Sequence, residues 1–132
     1  MKFLLDTNTC IYVINERPPG VVKRFRRYRL GDVGVSAVTV AELAYGVAKS
    51  GSDRNRAALD RFLLPLVIAE FDHEAALAFG PLRTALERKG RAIGPLDMLI
   101  AAHALSLGAT LVTNNAREFG RVTGLAVENW VG

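Results

Sequence analysis

Four acidic residues of this chain have types and positions suited to binding a divalent cation. Asp6 follows an apolar run that is typical of a buried strand, and Glu42 lies early in a helix that follows a second strand. Asp97 lies in the first turn of a helix, and Glu118 follows the polar turn after a late strand. Binding sites in open α/β sheets form at the carboxyl ends of the strands. We therefore expect these four acids at one edge of a sheet.

Each acid also has an ordinary structural explanation. Asp6 is suited to cap the helix that follows it. Glu42 comes three residues after Thr39, which fits a capping box in which Glu42 bonds back to the backbone of Thr39. A helix dipole favours a carboxylate at the position of Asp97, and Glu118 taken alone is typical of a solvated acid in a loop.

If the four acids lie close together, a cation-binding site becomes the better explanation for them than four separate structural roles. Carboxylates that lie close together raise one another's pKa, and a divalent cation relieves the repulsion. Hard oxygen ligands select Mg²⁺ or Mn²⁺, and such an ion activates water for phosphodiester hydrolysis. His103 lies six residues after Asp97, on a different part of the helix, so we expect a packed or hydrogen-bonded histidine rather than a ligand.

Composition predicts one soluble domain that spans residues 1–132. Half of the 132 residues are hydrophobic, the formal net charge is +4 and the pI is near 9.6, which favours an anionic partner. Cys10 is the single cysteine, so no intrachain disulfide forms and a reducing cytoplasm is the expected location. The apolar runs are too short for a membrane helix, and no signal peptide is evident.

Apolar spacing predicts strands that alternate with helices. This order favours an α/β fold with three layers, α/β/α, around a mostly parallel sheet of four to five strands. Strands are expected at 1–5, 33–36, 67–69, 110–113 and 125–130, and helices at 8–15, 21–30, 39–50, 54–64, 72–89 and 95–107, with a polar loop or helical turn at 114–119.

Four segments, in order and across essentially the whole chain, resemble the PIN-domain ribonucleases. The likeness is greatest to the VapC toxins of bacterial toxin–antitoxin pairs. The segments are Leu4-Leu5-Asp6-Thr7-Asn8, residues 36–46 (SAVTVAELAYG), residues 96–104 (LDMLIAAHA) and residues 111–119 (LVTNNAREF).

This resemblance implies a Mg²⁺-dependent endoribonuclease that cuts structured RNA, commonly tRNA, and in the most similar members the anticodon region of initiator tRNA. Mn²⁺ is expected to substitute. Asp6 and Asp97 match the metal-binding aspartates, Glu42 matches the acid after the second strand, and Glu118 stands where the family has a variable fourth acid. Thr7 matches a small hydroxyl residue that positions metal or phosphate. The resemblance also implies a homodimer and a VapB-type antitoxin.

Residues in two further regions are candidates for contacts with a substrate or partner. Thr113 and Asn115 offer hydroxyl and amide groups that orient a water or a phosphate, or simply make the turn. Arg24 and Arg27 are predicted to project from a basic helix toward RNA or antitoxin, and the alternative is an ordinary solvated face.

Three other α/β classes lack their required residues. An Asp-x-Asp phosphatase needs an aspartate where this chain has Asn8, and a receiver domain needs acids where it has Leu4 and Leu5. A dinucleotide-binding module needs a glycine-rich first turn. The remaining alternative is a PIN-like module that binds RNA or a partner without cutting it.

Overall fold

The computed structural model describes residues 1–131, which form a five-stranded sheet and seven helices. The strands are β1 (Phe3–Leu5), β2 (Val33–Ser36), β3 (Val67–Ala69), β4 (Thr110–Val112) and β5 (Val127–Glu128). The helices are α1 (Thr7–Asn15), α2 (Pro19–Phe25), α3 (Ala37–Ser50), α4 (Asp53–Leu63), α5 (His73–Arg88), α6 (Pro95–Leu107) and α7 (Ala116–Phe119). Within residues 1–131, no helix is long and apolar enough to cross a bilayer.

The sheet has the strand order β3-β2-β1-β4-β5, and every neighbouring pair is parallel. The central strand β1 pairs with β2 and β4, so that Leu4 lies between Gly34 and Leu111. Because all five strands run the same way, their carboxyl ends meet at one edge. The predicted α/β fold is confirmed, and the sheet is parallel throughout rather than mostly so.

Helices cover both faces of the sheet and create two apolar cores. One face carries Leu4 and Leu111 beneath α5 and α6. The opposite face carries Leu5 and Val35 beneath α1 to α4. Successive residues of β1 thus enter different cores, as the alternation of side chains along a strand requires. This arrangement is the predicted three-layer α/β/α architecture.

The capping box considered for Thr39 and Glu42 does not form. Helix α3 begins two residues earlier, and its N-cap is Ser36, whose Oγ accepts a hydrogen bond from the backbone N–H of Val38. Thr39 lies inside the first turn, fully buried. Ser36 therefore both ends β2 and caps α3, and Glu42 does not take part in the cap.

Several other predicted boundaries differ from the structure. The basic helix α2 ends at Phe25 rather than near Leu30, and β5 is only the pair Val127–Glu128. These differences lie at element ends, and they leave the element order unchanged.

The close contact of β2 with β3 yields a prediction for Gly34. A methyl group there would lie 2.8 Å from the carbonyl oxygen of Val67 and would also strike Met1 Sδ. The methionine can move, but the strand backbone cannot, so we expect Gly34→Ala to lower the unfolding free energy by about 1–3 kcal/mol. Urea denaturation followed by circular dichroism measures this change.

Gly46→Ala is the matched control, because it adds the same methyl group where nothing lies within 4 Å, in the middle of α3. Removing a helix glycine is expected to raise stability by up to about 1 kcal/mol. Equal urea midpoints for Gly34→Ala and wild type would contradict the steric argument.

Candidate active site at the carboxyl edge of the sheet

Asp6 connects the central strand to the first helix. It follows β1 directly and is 5% exposed, and its Oδ1 accepts a hydrogen bond of 2.8 Å from the backbone N–H of Thr9. The capping role considered from the sequence is therefore confirmed. Only Oδ1 takes part in the cap. The other carboxylate oxygen is therefore left to bind a ligand at the carboxyl edge of the sheet.

Glu42 is held by a residue from a different helix. The hydroxyl of Thr7 donates a 2.6 Å hydrogen bond to Glu42 Oε1 and joins the start of α1 to the first turns of α3. A bond to a hydroxyl stabilises the ionised carboxylate and fixes its orientation. Thr7, expected to position metal or phosphate, thus positions an acid of the site.

Asp97 brings the four acids into one electrostatic unit. It lies in the first turn of α6, and the pKa of its carboxyl is raised to about 6, first by burial and then by the charges of Glu42, Asp6 and Glu118. Each of these carboxylates is therefore close enough to oppose ionisation of Asp97. We call Asp6, Glu42, Asp97 and Glu118 the acid cluster.

The loop after β4 orients the fourth acid. Glu118 Oε2 accepts a 2.8 Å hydrogen bond from the side-chain amide of Asn115. The backbone N–H of Asn115 in turn donates to Thr113 Oγ1 at 2.9 Å. Thr113 is fully buried and shapes the turn, whereas Asn115 reaches the acid.

The acid cluster offers the ligands that Mg²⁺ prefers. Among residues 1–131, no three His, Cys, Asp or Glu side chains form a group that could hold a metal ion by themselves. Mg²⁺ does not require such a cage, because it keeps several waters and binds through one or two carboxylates together with substrate phosphates. The carboxylates of the acid cluster are hard oxygen donors, and ionisation of Asp97 is unfavourable without a cation, so the cluster fits this mode of binding.

Helix α6 is tied to α3 by a buried polar contact. His103 Nδ1 lies 2.8 Å from Ser36 Oγ, and the ring packs edge-on against Phe71. Burial lowers the pKa of His103, partly opposed by the charge of Asp72. The prediction of a packed, hydrogen-bonded histidine is confirmed, and the bond links the helix of Asp97 to the helix of Glu42.

The two arginines predicted to face RNA or antitoxin have different surroundings. Arg24 forms an ion pair with Glu128, bonds to the hydroxyl of Tyr28 and lies over the ring of Trp130. The hydrogen bond to Tyr28 is the largest of the contacts that raise its pKa. Arg24 thus helps to fasten the end of the chain to α2, whereas Arg27 is exposed.

Sequence reasoning missed Ser36 and the groove beside the acid cluster. A serine directly between a strand and a helix is the signal that identifies the cap. The groove, with a volume of about 630 Å³, lies between α1, α3 and α4 and includes Thr7, Glu42, Leu43 and Arg54 among its lining residues. Since it forms from three separate helices, no local pattern predicts it.

Comparison with known proteins identifies the class to which this fold and site belong. Residues 3–125 match the PIN domain family. The chain therefore belongs to the PIN-domain family.

Its similar relatives within that family are VapC ribonucleases. The chain is 42% identical over 131 residues to the tRNA(fMet)-specific endonuclease VapC of Salmonella typhimurium, with 98% of both chains covered. It is 46% identical over 132 residues to Ribonuclease VapC2 of Haemophilus influenzae, with 99% of both covered.

Solved structures give the same result for the fold. The crystal structure of DNA-bound VapBC from Salmonella typhimurium aligns with a TM-score of 0.93 at 42% identity and covers 98% of both chains. VapBC2 from Rickettsia felis, bound to a promoter DNA fragment, aligns with a TM-score of 0.90 at 42% identity, covering 98% of this chain and 99% of that one.

The raised pKa of Asp97 yields a prediction for stability. Because the folded protein disfavours the charged form, ionisation of Asp97 lowers the unfolding free energy as pH rises from about 4 to about 6, and the loss is complete above the folded-state pKa. Asp97→Asn removes this charge. We expect the metal-free variant to have a Tm about 2–4 °C above wild type at pH 7.5, a difference that shrinks toward pH 4.

Thermal unfolding with EDTA present measures this difference. Asp60→Asn is the control, since it neutralises an exposed acid on α4 and is expected to leave Tm within about 1 °C of wild type. A metal-free Asp97→Asn variant that melts below wild type at pH 7.5 would contradict the repulsion.

Proposed function

We propose that this protein is a Mg²⁺-dependent endoribonuclease, the toxin of a type II toxin–antitoxin system. Its substrate is a structured RNA, and we propose tRNA cut in the anticodon region of the initiator species. The observation that carries the proposal is Asp97, whose carboxyl is half-buried and opposed by the other three acids of the cluster. The tRNA(fMet)-specific endonuclease VapC of Salmonella typhimurium, at 42% identity, supports the choice of substrate.

Asp6 and Asp97 are the residues we propose to hold the metal. A bound Mg²⁺ would supply an activated water and would stabilise the charge on the leaving oxygen. Mn²⁺ offers the same hard, octahedral coordination and is expected to substitute.

The remaining acids orient the water that attacks the phosphodiester. Thr7 occupies Oε1 of Glu42, which leaves the second oxygen of that carboxylate to accept a hydrogen bond from water. Asn115 holds Glu118 in the same way from the other side of the cluster. Because these hydrogen bonds already fix Glu42 and Glu118, neither side chain has to reorient when the substrate binds, which is electrostatic preorganisation.

A VapB-type antitoxin is the proposed partner. Two solved structures that this chain resembles, from Rickettsia felis and Salmonella typhimurium, are VapBC complexes. The groove between α1, α3 and α4 combines apolar walls, including Ile11 and Leu43, with Glu42 and Arg54, and it suits an amphipathic peptide segment. Exposed Leu64 and Tyr45 add apolar surface for assembly as a homodimer and, with antitoxin, as a hetero-oligomer.

Cleavage of purified tRNA tests the enzyme against a module that binds without cutting. Wild type with Mg²⁺ is expected to nick tRNA. EDTA removes the metal and Asp97→Asn removes one of its proposed ligands, so each is expected to lower the rate by more than about a hundredfold. Sequencing the RNA ends identifies the tRNA and the position of the cut.

Asp60→Asn again serves as control and is expected to cut at the wild-type rate. Cleavage that persists both in EDTA and in Asp97→Asn would overturn the metal-dependent mechanism. Intact RNA under all conditions would favour the silent binding module.

Growth after induction tests the same assignments in cells. Wild type is expected to arrest growth, whereas Asp6→Asn and Glu42→Gln restore it, since each removes one carboxylate of the acid cluster without a large change of volume. Glu74→Gln, an exposed acid on α5, is the control and should remain toxic. If all the variants were as toxic as wild type at equal expression, the site assignment would be wrong.

A further inference from the structure

A second concave surface lies beyond the acid cluster along α1, and it has the features of a nucleotide-binding site. This depression has a volume of about 700 Å³ and is lined by Ile11, Tyr12, Asn15, Arg17, Pro18 and Pro19. That volume is within the range of small-ligand sites. We call it the Tyr12 depression.

The location of the depression relates it directly to the acid cluster. Asp6 caps the start of α1, and Tyr12 comes six residues later, which corresponds to about 9 Å along the helix axis. Asn15 ends the same helix. The acid cluster thus lies at the start of α1, and Ile11, Tyr12 and Asn15 of the depression lie in the second half of the same helix.

The charge of the depression favours an anionic ligand. Arg17 is exposed, and its guanidinium has no carboxylate within 4.0 Å among residues 1–131. None of the six lining residues is acidic, in contrast to the groove beside α3, which contains Glu42. The acid cluster repels phosphates, so an adjacent free cation supplies the attraction that the cluster lacks.

The remaining lining groups suit a base. Tyr12 presents an aromatic ring, and bases of single-stranded RNA loops stack on such rings. The ring is partly buried against the core, and its hydroxyl accepts a 3.3 Å hydrogen bond from the Asn114 amide. Asn114 Oδ1 in turn accepts from the Asn129 amide at 3.3 Å. The stacking surface is thus held in place by the same loop whose next residue, Asn115, orients Glu118.

We propose that the Tyr12 depression binds a nucleotide next to the scissile phosphate, with the base on Tyr12, its edge read by Asn15 and a phosphate on Arg17. This inference rests on the proposed function, because it takes RNA as the substrate. Tyr12, Asn15 and Arg17 are positioning and specificity residues here, and the acid cluster remains the reacting centre.

RNA affinity, measured without cleavage, tests the depression directly. All proteins carry Asp97→Asn, and the probe is a fluorescein-labelled RNA stem-loop followed by fluorescence anisotropy. Adding Arg17→Ala is expected to weaken binding about three- to tenfold and to reduce the slope of log Kd against log salt by about one, as for one lost phosphate contact. Asn15→Ala is expected to weaken binding about threefold without changing that slope, since it removes an uncharged hydrogen bond.

Arg29→Ala is the matched control, because it removes one exposed arginine outside the depression. It is expected to change the affinity less than twofold. Cleavage kinetics without the Asp97 change complete the test: Arg17→Ala should raise KM with little change in kcat, as expected for a residue that binds substrate rather than transition state.

The outcomes separate the two proposals. Cleavage by wild type, with equal RNA affinity for Arg17→Ala, Asn15→Ala and Arg29→Ala, would overturn the proposal that the depression binds RNA and leave the endoribonuclease standing. If Arg17→Ala and Asn15→Ala weaken RNA binding as expected but wild type does not cleave, the proposed endoribonuclease activity would be wrong and the proposed nucleotide site would be supported. If no RNA binding is detected for any of the proteins, the proposed nucleotide site would be wrong.

Discussion

The rest of the structure must offset one unfavourable arrangement, the burial of Asp97 beside three other carboxylates at one edge of the sheet. A lone acid in the first turn of a helix is stabilised by the helix dipole. Asp97 has that benefit and still carries a raised pKa, because burial and three neighbouring charges outweigh it. Helix α6 cannot move the carboxylate away, since Met98 and residues 100–104, directly after Asp97, are buried. The free energy of core packing therefore holds an unfavourable charge in place, as expected of a functional site.

The four acids differ in how their charge is compensated, and the difference separates their roles. Asp6 accepts a backbone N–H, Glu42 accepts the Thr7 hydroxyl and Glu118 accepts the Asn115 amide. Among residues 1–131 the side chain of Asp97 takes part in no such hydrogen bond, and burial together with the neighbouring charges raises its pKa to about 6. A group that is desolvated and lacks a donor gains most from a cation. Three oriented acids around one uncompensated acid form a site whose shape is fixed before any ion binds.

The sequence predicted the framework because its signals are local. The apolar run before Asp6 and the apolar spacing that separates strands from helices each depend on neighbouring residues, so the predicted element order was correct. The capping box failed because Ser36 and Thr39 both offer N-cap side chains before Glu42, and only the packing of β2 decides between them. The Thr7–Glu42 bond joins residues 35 positions apart, so it depends on how α1 and α3 pack. Arg24 was expected to face outward, yet Glu128 and Trp130 come to it from the far end of the chain.

The two concave surfaces flank α1 and share lining residues, which under the proposed function connects the binding of a partner to the binding of RNA. Ile11 and Asn15 line both the groove and the Tyr12 depression. A peptide in the groove would therefore cover Glu42 on one side and reach the edge of the depression on the other. Under the proposed function, such a partner would exclude RNA from both the reacting centre and its neighbouring nucleotide site. Under both proposals, one helix, capped by Asp6 and ending at Asn15, would contribute to the binding of RNA and to its exclusion by a partner.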